Sequence, residues 1–183
     1  MRLFYAIEFN ESIKEELVKV QSELKRKAKK ANFTRKDNLH LTLRFIGDIK
    51  GADFPVLTKI QSAVAYENEP FLLKLSEPGI FKRGNKFIVW WGIHESDQLI
   101  KLQGKLEEEI RLNGFPAEYK PYRPHITLAR EFTSDENIRD IIREFEPITS
   151  TFEVNFISLM ESLRTDGRLT YICRNKTRLG KAL

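Results

Sequence analysis

The chain has 183 residues, 41% of them hydrophobic, and a net charge of +5, which allows one domain, or two small lobes sharing an interface, around a packed core. Cys173 is the single cysteine, so an intrachain disulfide and a zinc site of several thiolates are excluded and a reducing, cytoplasmic setting is expected. The modest positive excess suits a polyanionic partner without establishing one.

In chain order, residues 3–9 read as a strand that meets its first acidic residue at Glu8, too early for the apolar run of a signal peptide. No apolar run approaches the ~20 residues of a membrane helix. Ser12 and Glu15 fit a capping box. Ile13, Leu17, Val20, Leu24 and Ala28 then recur at helical spacing, opposite a face that turns strongly basic over residues 25–30. Residues 32–35 form a short strand or extended loop, and residues 39–46 a strand ended by Gly47-Asp48. A helix follows over residues 52–66. Residues 71–75 and 79–82 read as two strands, the second turning at Gly84-Asn85 into a central strand over residues 87–92, with Trp90 and Trp91 in the core. Leu99, Leu102, Leu106 and Ile110 mark a second long helix, closed by Asn113-Gly114. After Pro121 and Pro124 comes a strand over residues 123–130. Thr133 and Glu136 cap a short helix with Ile138, Ile141, Ile142 and Phe145 inward. Residues 148–156 alternate, with Phe152, Val154 and Phe156 on one face. Residues 159–163 and 169–173 pair around Asp166-Gly167, a strong hairpin signal. The basic tail from residue 174 to 183 is expected to be loosely held.

The chain contains only three histidines. Two of them open the same pattern, His40-Leu41-Thr42-Leu43 and His125-Ile126-Thr127-Leu128, 85 positions apart. On a strand, residues i and i+2 share a face, so each histidine stands beside its threonine while the aliphatic pair points into a core. By the same alternation Arg44 shares the face of Thr42. The pattern is embedded in a longer repeat of strand, helix and His-x-Thr, with 36 positions from Phe4 to His40 and 38 from Phe87 to His125. Two such units related by a pseudo-twofold bring both motifs to one groove. The expected fold is α+β, with two antiparallel sheets around a central cleft and helices outside.

Two imidazoles with pKa values near ~6.5 can take and give a proton at once across one substrate. One activates the attacking oxygen and the other protonates the leaving oxygen. Thr42 and Thr127 offer hydroxyl donors to phosphoryl oxygens, and Arg130 can hold phosphate as a fork. With no nucleophilic Ser or Cys in the pattern, the chemistry indicated is metal-free attack by water or a sugar hydroxyl on phosphorus. No cofactor and no metal is expected, because two histidines without clustered carboxylates make a poor metal site.

The runs His40-Leu41-Thr42-Leu43-Arg44-Phe45-Ile46-Gly47 and Pro124-His125-Ile126-Thr127-Leu128-Ala129-Arg130 resemble the two signature motifs of the 2H phosphoesterases. Within that family the likeness is to the archaeal and bacterial RNA 2′,3′-cyclic phosphodiesterases, also called 2′-5′ RNA ligases, and it covers almost the whole chain. The resemblance implies a single domain over residues 1–183 with two interleaved lobes, one motif in each. It implies hydrolysis of an RNA 2′,3′-cyclic phosphate to a 2′-phosphate end, with His40 as general acid to the 3′ oxygen and His125 as base to water. Thr42, Thr127 and Arg130 would bind the phosphate. The reverse reaction, joining RNA ends through a 2′-5′ linkage, would use the same groups with roles exchanged. Tyr5, Phe45, Tyr122 and Arg123 are candidate sugar, base or phosphate contacts. The partners expected are RNA ends or nucleotides carrying a 2′,3′-cyclic phosphate, including tRNA-length substrates. No membrane and no obligate protein partner is implied, and a monomer is expected.

Two other functions compete. A non-catalytic RNA or nucleotide-binding module would bind with a steep salt dependence and release no product. A 2H enzyme acting on a small nucleotide would share the chemistry and differ at the pocket rim.

Overall fold

The computed structural model describes residues 1–165 and 167–181. Asp166, half of the expected turn, lies outside the described residues, as do Ala182 and Leu183 of the tail. Among the described residues, nine strands and four α-helices follow in the order β1 (Arg2–Glu8), α1 (Glu11–Lys27), β2 (Lys30–Phe33), β3 (His40–Asp48), α2 (Phe54–Tyr66), β4 (Phe71–Arg83), β5 (Lys86–Ile93), α3 (Asp97–Leu112), β6 (His125–Thr133), α4 (Ile138–Arg143), β7 (Thr151–Val154), β8 (Phe156–Thr165) and β9 (Arg168–Arg178).

The helices begin where side chains can accept from otherwise orphaned backbone N–H groups. Asn10 Oδ1 accepts from the Ile13 amide at 3.0 Å, so the cap of α1 lies two residues before the expected Ser12. Ser96 caps α3 through the Leu99 amide. Asn137, rather than Thr133, caps α4. Helix α1 buries Ile13, Leu17, Val20 and Leu24, each contributing roughly 1.5–3 kcal/mol by removal from water.

Strands β3-β1-β8-β9 form one antiparallel sheet and β2-β6-β5-β4-β7 the other. The main core joins Leu3, Tyr5 and Ile7 of β1 with Leu41, Leu43, Val89, Trp91, Ile126, Leu128 and the apolar faces of the helices. Helix α1 follows β1 but packs on β6 of the other sheet, and α3 follows β5 but packs on β3. The duplication expected from sequence is therefore built with its helices exchanged between halves. Its register is one residue off the expected match of Phe4 with Phe87. Tyr5 opposes Arg44 as Val89 opposes Ala129, which equates Tyr5 with Val89 and Phe4 with Ile88.

Several elements differ from the sequence reading. Residues 71–83 form one long strand, because a register shift between Leu75 and Pro78 lets β4 bend without breaking. Phe156 does not continue the alternation of β7. It opens β8, where it is 40% exposed, with the Lys176 ammonium 5.1 Å from its ring centre. The tail is tied down over its described part. Arg174 to Arg178 complete β9, Leu179 is buried, and the Gly180 amide donates to the carbonyls of Ala65 and Asn68 at the end of α2.

Candidate active site

Both motif strands carry an extra residue just after the threonine. In the β1–β3 ladder Tyr5 faces Arg44 and Ala6 faces Thr42, leaving Leu43 unmatched. In the β5–β6 ladder Val89 faces Ala129 and Trp90 faces Thr127, leaving Leu128 unmatched. A bulge adds one residue to one strand and resets which face later side chains occupy. Leu43 and Arg44 are accordingly both buried, as are Leu128 and Ala129. Phe45 and Arg130 return to the face that carries the histidines. A further register shift follows in each ladder, near Ile46 and near Glu131, the latter with φ +56°.

The two strands face one open cavity of about 1320 Å³. His40, Thr42, Phe45, His125, Thr127 and Arg130 all line it, together with Phe4, Asn38 and Tyr171. Each histidine is oriented by a carbonyl two residues upstream. His40 Nδ1 lies 2.7 Å from the Asn38 carbonyl, and His125 Nδ1 lies 2.7 Å from the Arg123 carbonyl. A carbonyl only accepts, so Nδ1 carries the proton in both rings and Nε2 of the neutral ring is the free base. His40 Nε2 accepts from Thr42 Oγ1 at 2.9 Å. His125 Nε2 makes no protein hydrogen bond among the described residues.

Aromatic rings wall in both imidazoles. Phe4 and Tyr171 stand 4.9 and 5.1 Å from the His40 ring, and Phe81 stands edge-on 4.9 Å from His125. Trp90 lies 6.1 Å from His125, so it borders the site instead of sitting in the core, while Trp91 is fully buried as expected. The indole of Trp90 occupies the space above Gly79, its cross-strand partner. A Cβ at Gly79 would come within 2.2 Å of that ring. Asn38 braces the opposite wall: its Nδ2 donates to the Leu169 carbonyl and its Oδ1 accepts from the Tyr171 amide.

These surroundings favour neutral imidazoles. Burial pushes the pKa of His40 down to about 4, opposed by its bond to the Asn38 carbonyl, with Arg130 and His125 lowering it further. Burial also lowers the pKa of His125; its bond to Arg123 opposes this and Arg130 adds to it. Arg130 itself forms no ion pair among the described residues, so its charge is available to an anion.

Three of the expected substrate contacts lie elsewhere. Tyr5 is fully buried and its hydroxyl donates to the Leu57 carbonyl at 2.6 Å; on β1 it is Phe4, one residue away, that faces the cleft. Tyr122 lies behind the site, its hydroxyl donating to the Thr42 carbonyl at 3.0 Å. Arg123 is exposed and serves His125 through its backbone. Arg44 points away from the cleft, pairing with Glu107 at 2.5 Å. Phe4, Phe81, Asn38 and Tyr171 went unrecognised in the sequence; the alternation of β1 around Phe4 was the one signal that could have found the first. Within residues 25–30, Lys27 pairs with Glu136 and Glu144 and Lys29 with Asp135. Among the described residues no cluster of three or more His, Cys, Asp or Glu side chains could hold a metal ion, and no helix is long and apolar enough to cross a membrane.

A duplicated α+β fold that presents two His-x-Thr strands to one cleft defines a 2H phosphoesterase. Within that class the chain belongs to the 2′-5′ RNA ligase superfamily, whose family model matches residues 9–166. A Methanocaldococcus jannaschii protein named RNA 2′,3′-cyclic phosphodiesterase is 30% identical over 169 residues, covering 90% of this chain and 93% of that one. A Thermus thermophilus protein of the same name is 31% identical over 139 residues, covering 71% and 68%. The crystal structure of Escherichia coli LigT complexed with 3′-AMP superposes with a TM-score of 0.82 at 25% identity, covering 97% of both chains. The fold is also that of TT0787 from Thermus thermophilus, with a TM-score of 0.84 at 24% identity over 99% of both chains.

Proposed function

We propose that this protein hydrolyses 2′,3′-cyclic phosphate ends of RNA to 2′-phosphate ends by paired histidine catalysis, without a metal. The observation that carries this reading is the single cavity lined by both imidazoles and both threonines, each ring held by its Nδ1 so that Nε2 is left for the substrate. The uncommitted Nε2 of His125 suits a base that takes a proton from water as the new P–O bond forms. His40 then protonates the 3′ oxygen as the P–O3′ bond breaks, and solvent returns the two rings to their starting states. A bound phosphodiester anion offsets the charge of Arg130 and raises the pKa of both rings, which supplies the protonated His40 that burial and Arg130 otherwise disfavour. Thr42, Thr127 and Arg130 hold the non-bridging oxygens, in positions where donors aimed at developing charge typically contribute ~10²–10³ in rate.

With a 5′-hydroxyl in place of water, the same in-line attack makes a 2′-5′ linkage. The histidine roles are then unchanged, unlike the exchange expected from the resemblance, because P–O3′ is again the bond that breaks; they exchange only when that linkage is cleaved back to the cyclic phosphate. An RNA end is favoured over a small nucleotide by the cavity, whose volume exceeds the ~300–1,000 Å³ of a small-ligand pocket and whose lining includes Arg2, Arg35, Arg164 and Arg168 besides Arg130. The test is turnover of an oligonucleotide ending in 2′,3′-cyclic phosphate, with EDTA present. A 2′-phosphate product at an undiminished rate is expected. A 3′-phosphate product, or loss of turnover on chelation, overturns the reading.

A further inference from the structure

Strands β3 and β6 belong to different sheets, so no ladder pairs the two histidine strands directly; β2, upstream of β3, pairs with β6. The connection from α3 into β6, residues 113–124, adds side-chain ties close to both histidines. Arg44 Nη2 donates to the Pro116 carbonyl at 2.5 Å, and the Glu118 amide donates at 2.7 Å to Glu107, the carboxylate that also pairs with Arg44. The third tie is the Tyr122 hydroxyl on the Thr42 carbonyl at 3.0 Å. This last bond is adjacent to the chemistry at both ends. Thr42 supplies the hydroxyl that engages His40 Nε2, and Arg123, next to Tyr122, supplies the carbonyl that orients His125. Burial raises the Tyr122 pKa, which keeps the phenol a donor at any working pH.

We propose that Tyr122 is a positioning residue whose bond to the Thr42 carbonyl sets the separation of the two histidines, so that both meet one phosphate. This rests on the two-histidine reading above. An error of an ångström in such a site costs ~10²-fold; removing one of three ties moves the strands less.

Tyr122→Phe keeps the ring that packs against the core and deletes only the bond. The expected result is a kcat lower by about tenfold with KM within about twofold, in line with the loss of one hydrogen bond that acts on geometry. Tyr119→Phe, at a side chain 93% exposed, leaves both constants unchanged. Imidazole ¹⁵N titrations read the same geometry without turnover. In the wild type, saturating inorganic phosphate raises the pKa of both histidines together; in Tyr122→Phe one of the two shifts falls by more than half. The proposal is overturned by a variant with unchanged kcat and both phosphate shifts intact, by a variant changed only in KM, or by a wild type in which phosphate moves one histidine alone. A wild type that turns over no 2′,3′-cyclic phosphate counts against the function above, while the phosphate titration still decides the role of Tyr122.

Discussion

In the first half of the cleft the residue after the bulge is Arg44, which turns into the core, pairs with Glu107 and donates to the Phe45 and Pro116 carbonyls. In the second half that position is Ala129, and the neutral amide of Gln21 does the bracing, donating to the carbonyls of Thr34 and of the bulged Leu128 at 2.8 Å each. The helices carry the exchange: Gln21 of α1 and Glu107 of α3 stand equally far from their caps, Asn10 and Ser96. The two halves thus keep one geometry, a bulge that returns Phe45 and Arg130 to the cleft, by an ion pair on one side and an amide on the other. The shape of the strand is the shared requirement, and the polar group that satisfies the displaced backbone is free to differ.

The histidines differ in a parallel way. His40 is engaged at both nitrogens and His125 at one. If both are nonetheless indispensable, His40→Ala and His125→Ala each lower kcat for a 2′,3′-cyclic oligonucleotide by ~10²–10⁴, the usual contribution of a general acid or base. The double variant is barely slower than either single one, because the pair acts as a unit. A single variant with near-normal turnover would break the equivalence of the halves.

The braces are separated by stability. Arg44→Met leaves the Glu107 carboxylate, 21% exposed, without its partner and is expected to cost about 2–4 kcal/mol, below the full penalty for a wholly buried pair. Gln21→Leu strips two carbonyls of a donor and is expected to cost about 1–3 kcal/mol. Urea midpoints read both, and equal costs would show that charge adds nothing to the first brace.

The remaining difference is in pH dependence. Both imidazoles have folded pKa values below the ~6.5 of the unfolded chain, so the unfolded chain binds protons that the folded one refuses. The folded state is therefore fully favoured above about pH 6.5 and loses stability as the pH falls towards 4, by on the order of 2–3 kcal/mol for His40. His40→Asn should flatten the acid limb of the stability curve more than His125→Asn does. The kcat/KM profile, which reports the free enzyme, should centre below pH 6.5, with that of kcat displaced upward by the charge of the bound substrate.

The sequence made the convergence of the two motifs on one cleft legible because His-x-Thr needs only the period of two along one strand. It did not reveal which later side chains face the cleft, because a bulge is a relation between two strands. Counting along β3 alone put Arg44 beside Thr42; pairing with β1 turns it inward. Tyr5 failed for the opposite reason. Its own strand alternates regularly there, and Phe4 holds the cleft-facing parity. Residues 174–178 read as a loose basic tail although the pairing of residues 159–163 with 169–173 was legible, because the alternation does not say how far that ladder runs; β8 reaches back to Phe156 and pairs with β9 out to Arg178. The aromatic walls at Phe81 and Tyr171 come from strands far from either motif, which nothing in the spacing of the histidines could indicate.

Gly79 has no side chain with which to touch a substrate, yet it governs the room beside His125. The indole of Trp90 lies where any Cβ at Gly79 would stand, and that ring borders the imidazole. One added methyl, on a strand that contributes no polar group to catalysis, would push the ring out and reshape the chamber from its back. Surveys that score only ionisable positions would therefore pass over the place where the least atomic change travels furthest.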